Sequence, residues 1–144
     1  MSLLERVVLV VDDDPEICWV LEHLVESLKG RCVRAPGSQG ALQAARLDHP
    51  DLVLLDAKLP DIDGLALARQ IRRADPDVPI ILISGYFYRD DPAIQAARDQ
   101  GLICGFAEKP FSHREIILAI KTALSTRGRD KLSASEAAEP LTAW

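Results

Sequence analysis

Val7-Val8-Leu9-Val10-Val11-Asp12-Asp13-Asp14-Pro15 decides how the rest of the chain reads. Five apolar residues in unbroken succession fit a strand covered on both faces, the habit of parallel sheets. The run is too short for a signal peptide and far below the ~20 residues that span a bilayer. It ends in three carboxylates, so acids stand where the strand's carboxyl end emerges.

Outward from this stretch the pattern repeats. Cys32–Ala35, Leu52–Leu55, Ile80–Ile83 and Ile103–Phe106 read as further short strands, all but the first of these nearly continuous in apolar residues. Helical patterns fall between them. Ile17, Val20, Leu21, Leu24 and Leu28 form one apolar stripe, with Gly30 as its stop signal. Ser38 caps a second helix carrying Ala41, Leu42 and Ala45. Leu67 and Ile71 lie on a third. Asp91-Pro92 opens a fourth that ends before Gly101. Ser112-His113-Arg114-Glu115 is a capping box for the last, with Ile117, Ile120 and Leu124 inward. Five strands alternating with five helices predict an α/β fold, a parallel sheet with helices on both faces joined by right-handed crossovers. Ligands of such sheets bind outside the carboxyl ends of the strands.

Composition sets the setting. The 144 residues are 48% hydrophobic and 27% charged with net charge −5, which fits one ordinary globular domain. No block of Lys or Arg accumulates, so direct nucleic-acid binding is not expected, nor is a membrane segment. Cys18, Cys32 and Cys104 are odd in number and lack paired spacing, which suggests reduced thiols in a cytosol. His23, His49 and His113 are scattered, which argues against a His/Cys zinc site. Residues 1–124 read as the domain and 125–144 as a tail or linker, with a short helix over Ser135–Ala138, anchored by Leu141 or Trp144, as the alternative. Met1-Ser2-Leu3 reads as an added leader, which would make the chain a piece of a longer protein.

Polar residues gather at the strand ends. Asp12 and Asp13 close the first strand, Asp56 the third and Ser84 the fourth, while Lys109 follows the fifth. On one rim, three carboxylates repel: two unit charges ~4 Å apart interact by ~4 kcal/mol at an effective dielectric of ~20. A hard, oxygen-seeking cation such as Mg²⁺ offsets this. Phosphoryl transfer needs a carboxylate nucleophile, a metal bridging the phosphoryl oxygens and donors for the remaining oxygens. Asp56 fits the first role, Asp12 and Asp13 the metal, Ser84 and Lys109 the donors.

Four segments carry a family resemblance: Val10-Val11-Asp12-Asp13-Asp14-Pro15, Leu54-Leu55-Asp56 through Pro60 to Asp63-Gly64, Ile80–Ser84-Gly85, and Glu108-Lys109-Pro110-Phe111. In this order and spacing, over about residues 6–124, the chain resembles the receiver domain of bacterial two-component response regulators. The resemblance implies a flavodoxin-like sheet in the order 2-1-3-4-5. It implies phosphorylation of Asp56 by the phosphohistidine of a sensor histidine kinase or phosphotransfer protein. Mg²⁺ would be held by Asp12 or Asp13, by Asp56 and by the backbone carbonyl of Lys58. A cis peptide before Pro110 would aim Lys109 at the phosphoryl group. The domain would be no separate enzyme, promoting only its own phosphorylation and dephosphorylation. Ser84 would be drawn to the phosphoryl group, and an aromatic on the fifth strand would turn inward. Phe106 holds that place, without a hydroxyl to favour an outward rotamer, and is expected to stay buried in both states. Lys58 and Tyr86, two residues past Asp56 and Ser84, would tune how fast water reaches the acyl phosphate.

Other residues carry plainer expectations. Asp14 reads as a solvated helix-start residue, and Asp61 and Asp63 as turn and cap residues without chemistry. Tyr86-Phe87-Tyr88 places three of the seven aromatics in one loop, and three adjacent rings cannot all point inward. At least one should contribute to a partner or dimer surface. Cys18 and Trp19 fall off the first helix's stripe, and Trp19 is expected to contact the phosphodonor. Two competing readings stand beside the receiver. One is a haloacid-dehalogenase-like phosphatase with Asp12 as nucleophile and Asp14 as acid/base, assisted by Ser84 and Lys109; it leaves Asp56-x-x-x-Pro60 unexplained. The other is a pseudo-receiver that acts without phosphorylation. The output would pass through a downstream effector protein or an effector domain beyond this chain.

Overall fold

The structure is a computed structural model that describes residues 2–136, with side-chain surroundings through residue 125. Ten elements alternate without exception: β1 (Val7–Val11), α1 (Pro15–Ser27), β2 (Arg31–Ala35), α2 (Ser38–Leu47), β3 (Leu52–Asp56), α3 (Gly64–Ala74), β4 (Ile80–Ser84), α4 (Pro92–Asp99), β5 (Gly105–Glu108) and α5 (His113–Glu136). The strands pair in parallel, in the order β2-β1-β3-β4-β5. This is the doubly wound architecture that the alternation predicts.

Side-chain alternation splits each central strand between two cores. Leu9, Val11, Val53, Leu55, Ile80, Leu82 and Phe106 face α2, α3 and α4. Val8, Val10, Leu52, Leu54, Ile81, Ile83 and Ala107 face α1 and α5. Burial on both faces is the reason these strands are apolar at every position. Fully burying such a side chain contributes roughly 1.5–3 kcal/mol.

Local chemistry sets the helix ends. Asp14 caps α1 by accepting from Glu16 N at 2.9 Å, and Asp63 caps α3 by accepting from Leu65 N at 2.7 Å. Gly101 takes a φ of +73° just past α4. The Ser112 hydroxyl accepts from Glu115 N at 3.1 Å, half of the capping box expected there, and reaches the Glu115 carboxylate at 3.3 Å.

Several expectations need correction. Ser38 is the first residue of α2 rather than its cap: Gly37 holds the cap position without a side chain. The missing acceptor comes from a distant loop, where the Asp61 carboxylate takes both the Ser38 amide (3.1 Å) and the Ser38 hydroxyl (2.5 Å). The fifth strand lies two residues later than Ile103–Phe106, because the Cys104 amide first bonds Ile80 O at 2.9 Å and pairing starts at Gly105. The buried face of α1 is Cys18, Leu21, Leu24 and Val25, with Ile17, Val20 and Leu28 only half-buried. In α5, among residues 113–125, Ile116, Ile120 and Ala123 are buried, while Ile117 and Leu124 sit at the margin. Leu3 is fully buried, its amide donates to Leu28 O, and a Cβ at Gly30 would stand 2.9 Å from its own. Gly30 therefore makes room for Leu3, while Lys29 supplies the positive φ (70°) that ends α1. α5 continues past residue 124 to Glu136, and the expected anchors Leu141 and Trp144 lie outside the described residues.

Candidate functional site

The carboxyl ends of β1, β3, β4 and β5 meet at one rim. Asp12 and Asp13 leave β1, and Asp56 is the last residue of β3. One carboxylate oxygen from each of the three lies within 4.8 Å of the others. Asp12 and Asp56 are buried, at 3% and 8% exposure, whereas Asp13 faces solvent. The Lys109 ammonium, just past β5, stands 3.1 Å from Asp12 Oδ2 and 3.6 Å from Asp56 Oδ2. Its backbone is tied to the rim through Lys109 N to Ser84 O, 2.7 Å, and the Lys109–Pro110 peptide is cis.

One ammonium stands against three carboxylates, and the titration behaviour follows. Burial, then the Asp12 charge, pushes the Asp56 carboxyl above its ordinary range, against the opposing pull of Lys109. Burial draws the Lys109 ammonium down, but Asp12 and Asp56 together more than reverse this, so it ends above its ordinary value. The donor set is all oxygen, carries excess negative charge and stays open on the Asp13 side. A divalent ion of the Mg²⁺ or Ca²⁺ type fits that chemistry.

The backbone around Asp56 is held closely. Ala57 N donates to Ile83 O at 2.9 Å, Gly64 N to Ala57 O at 2.8 Å, and Lys58 N to Asp56 Oδ1 at 3.2 Å. Ser84 is buried, and its hydroxyl oxygen accepts from Tyr86 N (2.8 Å) and Phe87 N (2.7 Å). It is thus engaged with the loop after β4. The exposed Lys58 side chain holds its Nζ 4.9 Å from the centre of the Tyr86 ring. Phe106 is buried at 4% exposure.

The surface residues divide. Trp19 is 55% exposed and stacks on His23 at 4.1 Å. Cys18 is a correction: it is buried at 5% exposure and cannot be a partner surface. Its thiol donates to Asp12 O at 3.2 Å, so it braces the acidic turn from below. Hydropathy could not show this, because cysteine is as much at home in cores as on surfaces. Tyr86 and Tyr88 are exposed, while Phe87 packs against the core. Asp14 is spent on capping α1, is absent from the carboxylate cluster and leaves the phosphatase reading without its acid/base.

Residues 8–121 match the family described as response regulator receiver domain, and the chain belongs to that family. Among curated proteins it is 34% identical over 119 residues to the DNA-binding transcriptional regulator NtrC of Escherichia coli K12, covering 83% of this chain and 25% of NtrC. It is 32% identical over 131 residues to the transcriptional regulatory protein PrrA of Mycobacterium tuberculosis, covering 90% of this chain and 54% of PrrA. The chain therefore spans a quarter of one relative and about half of the other. Among solved structures, NtrX of Brucella abortus superposes with a TM-score of 0.82 at 26% identity, over 100% of this chain and 32% of NtrX. This is a receiver domain of two-component signalling. Among the described residues, no helix is long and apolar enough to cross a membrane.

Proposed function

We propose that the chain is a phosphorylation switch in which Asp56 accepts a phosphoryl group from the phosphohistidine of a sensor kinase or phosphotransfer protein. The observation that carries this reading is the cluster of Asp12, Asp13 and Asp56 oxygens facing the Lys109 ammonium. An Asp56 carboxylate oxygen attacks phosphorus as the P–N bond breaks, the electron pair leaves with the imidazole, and an acyl phosphate remains. Lys109 stands where charge grows on the phosphoryl oxygens, and the Ser84 hydroxyl proton is available to one of them. Asp12 and Asp13, with Asp56 and the Lys58 carbonyl, would hold Mg²⁺, which supplies neutralisation of the phosphoryl charge when bound.

Phosphorylation adds roughly −1.5 to −2 charge and three acceptor oxygens at the rim. Ser84 answers it, and the loop after β4 moves with Ser84. Phe106 stays packed in both states. Lys58 and Tyr86 control the approach of water. Trp19 on α1 receives the phosphodonor, and Tyr86 and Tyr88 contribute to the surface for an effector, an effector domain or a second copy. The proposed setting is the cytosol.

Incubation with Mg²⁺ and acetyl phosphate tests the reading directly. Intact-mass measurement should find one added phosphoryl group on the parent and none on Asp56→Asn. An unlabelled parent would mark an interaction module that works without phosphorylation. Turnover of a phosphate ester that survives Asp56→Asn would move the chemistry to Asp12. Trp19→Ala should slow transfer from the cognate donor and spare acetyl phosphate; equal loss from both would exclude docking there.

A further inference from the structure

Two ties hold the loop between β4 and α4 against the phosphoacceptor rim. The first is Ser84, whose hydroxyl oxygen accepts from the amides of Tyr86 and Phe87 at 2.8 and 2.7 Å. The second crosses from the neighbouring loop: the Lys58 ammonium lies 4.9 Å from the centre of the Tyr86 ring. Lys58 is itself fixed to the acceptor, its amide donating to Asp56 Oδ1 at 3.2 Å. Tyr86 meets Phe87 edge to face at 5.3 Å. Both rings line a groove of about 370 Å³ together with Ala57, Leu59, Pro60 and Ile62.

We propose that Lys58 and Tyr86 form a latch, a cation resting on an aromatic face, that keeps this loop closed until Asp56 carries a phosphoryl group. The inference rests on the phosphorylation of Asp56 proposed above. An exposed ammonium is held only weakly by a ring quadrupole. A phosphoryl group one loop away, with nearly two negative charges, attracts the same ammonium more strongly. Lysine's flexible four-carbon stem lets the ammonium turn from one to the other without moving the backbone. The same phosphoryl group takes the Ser84 hydroxyl proton, while the hydroxyl oxygen keeps the two loop amides on its lone pairs, so Ser84 pulls the loop with it. One chemical event thus withdraws the Lys58 tie from Tyr86 and pulls on the loop through Ser84. The far end of the loop is held elsewhere, Tyr88 N by Asp91 Oδ2 (3.1 Å) and Arg89 N by Glu108 Oε1 (3.1 Å). Release is therefore confined to residues 85–87, and it widens the groove that the rings line. Such a latch reads out phosphorylation without any turning of Phe106.

Proton NMR reads the latch directly, because methylene protons beside Nζ are shifted upfield by a ring beneath them. In the Mg²⁺-bound resting protein the Lys58 Hε resonances should be upfield. They should return to ordinary values on adding beryllofluoride, with the Tyr86 and Phe87 amides moving in parallel. Tyr86→Phe should keep the resting shift and Tyr86→Leu should abolish it. Freed from the ring, Lys58 should speed loading from acetyl phosphate by about 2- to 5-fold in Tyr86→Leu, the factor expected of an exposed cation–π contact. In a Lys58→Met background, Tyr86→Leu should change nothing. Lys58 protons without an upfield shift at rest, or still shifted when Asp56 is fully loaded, overturn the latch alone. A parent protein whose Asp56 takes up neither reagent overturns the switch and the latch together.

Discussion

At Gly64 a single hydrogen stands where any other residue places a methyl group. A Cβ there would run into the Asp56 carbonyl oxygen and stand 2.6 Å from Ala57 Cα, and neither is a flexible side-chain end. Alanine favours a helix by ~1 kcal/mol over glycine, but here the clash with backbone outweighs it. Gly64→Ala should cost about 2–4 kcal/mol in urea unfolding and depress loading of Asp56, whose peptide must shift. Asp56 itself lowers stability when charged. Its folded carboxyl, raised chiefly by burial, binds a proton more readily than the unfolded one, so stability falls as the pH rises from 3.8 through the raised value. Asp56→Asn removes that cost. In chelator, melting curves at neutral pH should place the variant above the parent, with the gap closing as the pH falls toward 3.8.

Elements meet through groups that hydropathy does not mark. Arg72, near the end of α3, donates to Val78 O, to Pro76 O (3.2 Å), to Asp75 O (3.4 Å) and to Leu102 O (2.9 Å). One guanidinium thus stitches the α3–β4 connection to the turn after α4, at the edge of the sheet opposite the acidic rim. Arg72→Ala should cost about 2–4 kcal/mol by leaving these carbonyls without a donor. Arg72→Lys should recover little, because an ammonium cannot span the same fork. Urea unfolding of the two variants checks both statements. Asp61 works likewise, capping α2 from the loop after β3. In sequence it read as a turn residue without chemistry. Its cap lies 23 positions away, and no local pattern encodes that distance.

Across the whole molecule, five strands bring their carboxyl ends to one rim, so charge repulsion there opposes the folding of everything beneath. A bound divalent ion should reverse this. Mg²⁺ at a hundred times its dissociation constant should stabilise the protein by ~2.7 kcal/mol, by mass action. Thermal melts with and without Mg²⁺ should separate, and the separation should shrink in Asp13→Ala, whose exposed carboxylate can be removed without opening the core. Ca²⁺ or Mg²⁺ that leaves the parent's melting temperature unchanged would dismiss the acidic rim as a metal site.

The linear sequence determined the alternation of strands and helices, the two covered faces of the sheet, and the clustering of Asp12, Asp13, Asp56, Ser84 and Lys109. A strand buried on both sides must be apolar throughout, so polar residues are pushed to its ends, and parallel winding brings those ends together. Only the tertiary structure decided which face of α1 is buried, so that Cys18 braces Asp12 rather than meeting a partner. It alone set Leu3 beneath Gly30, Asp61 on α2, Arg72 across two loops, and Lys58 over Tyr86. Those pairings depend on distances between segments remote in sequence, and hydropathy reports how each residue prefers its solvent, never which neighbour it will meet.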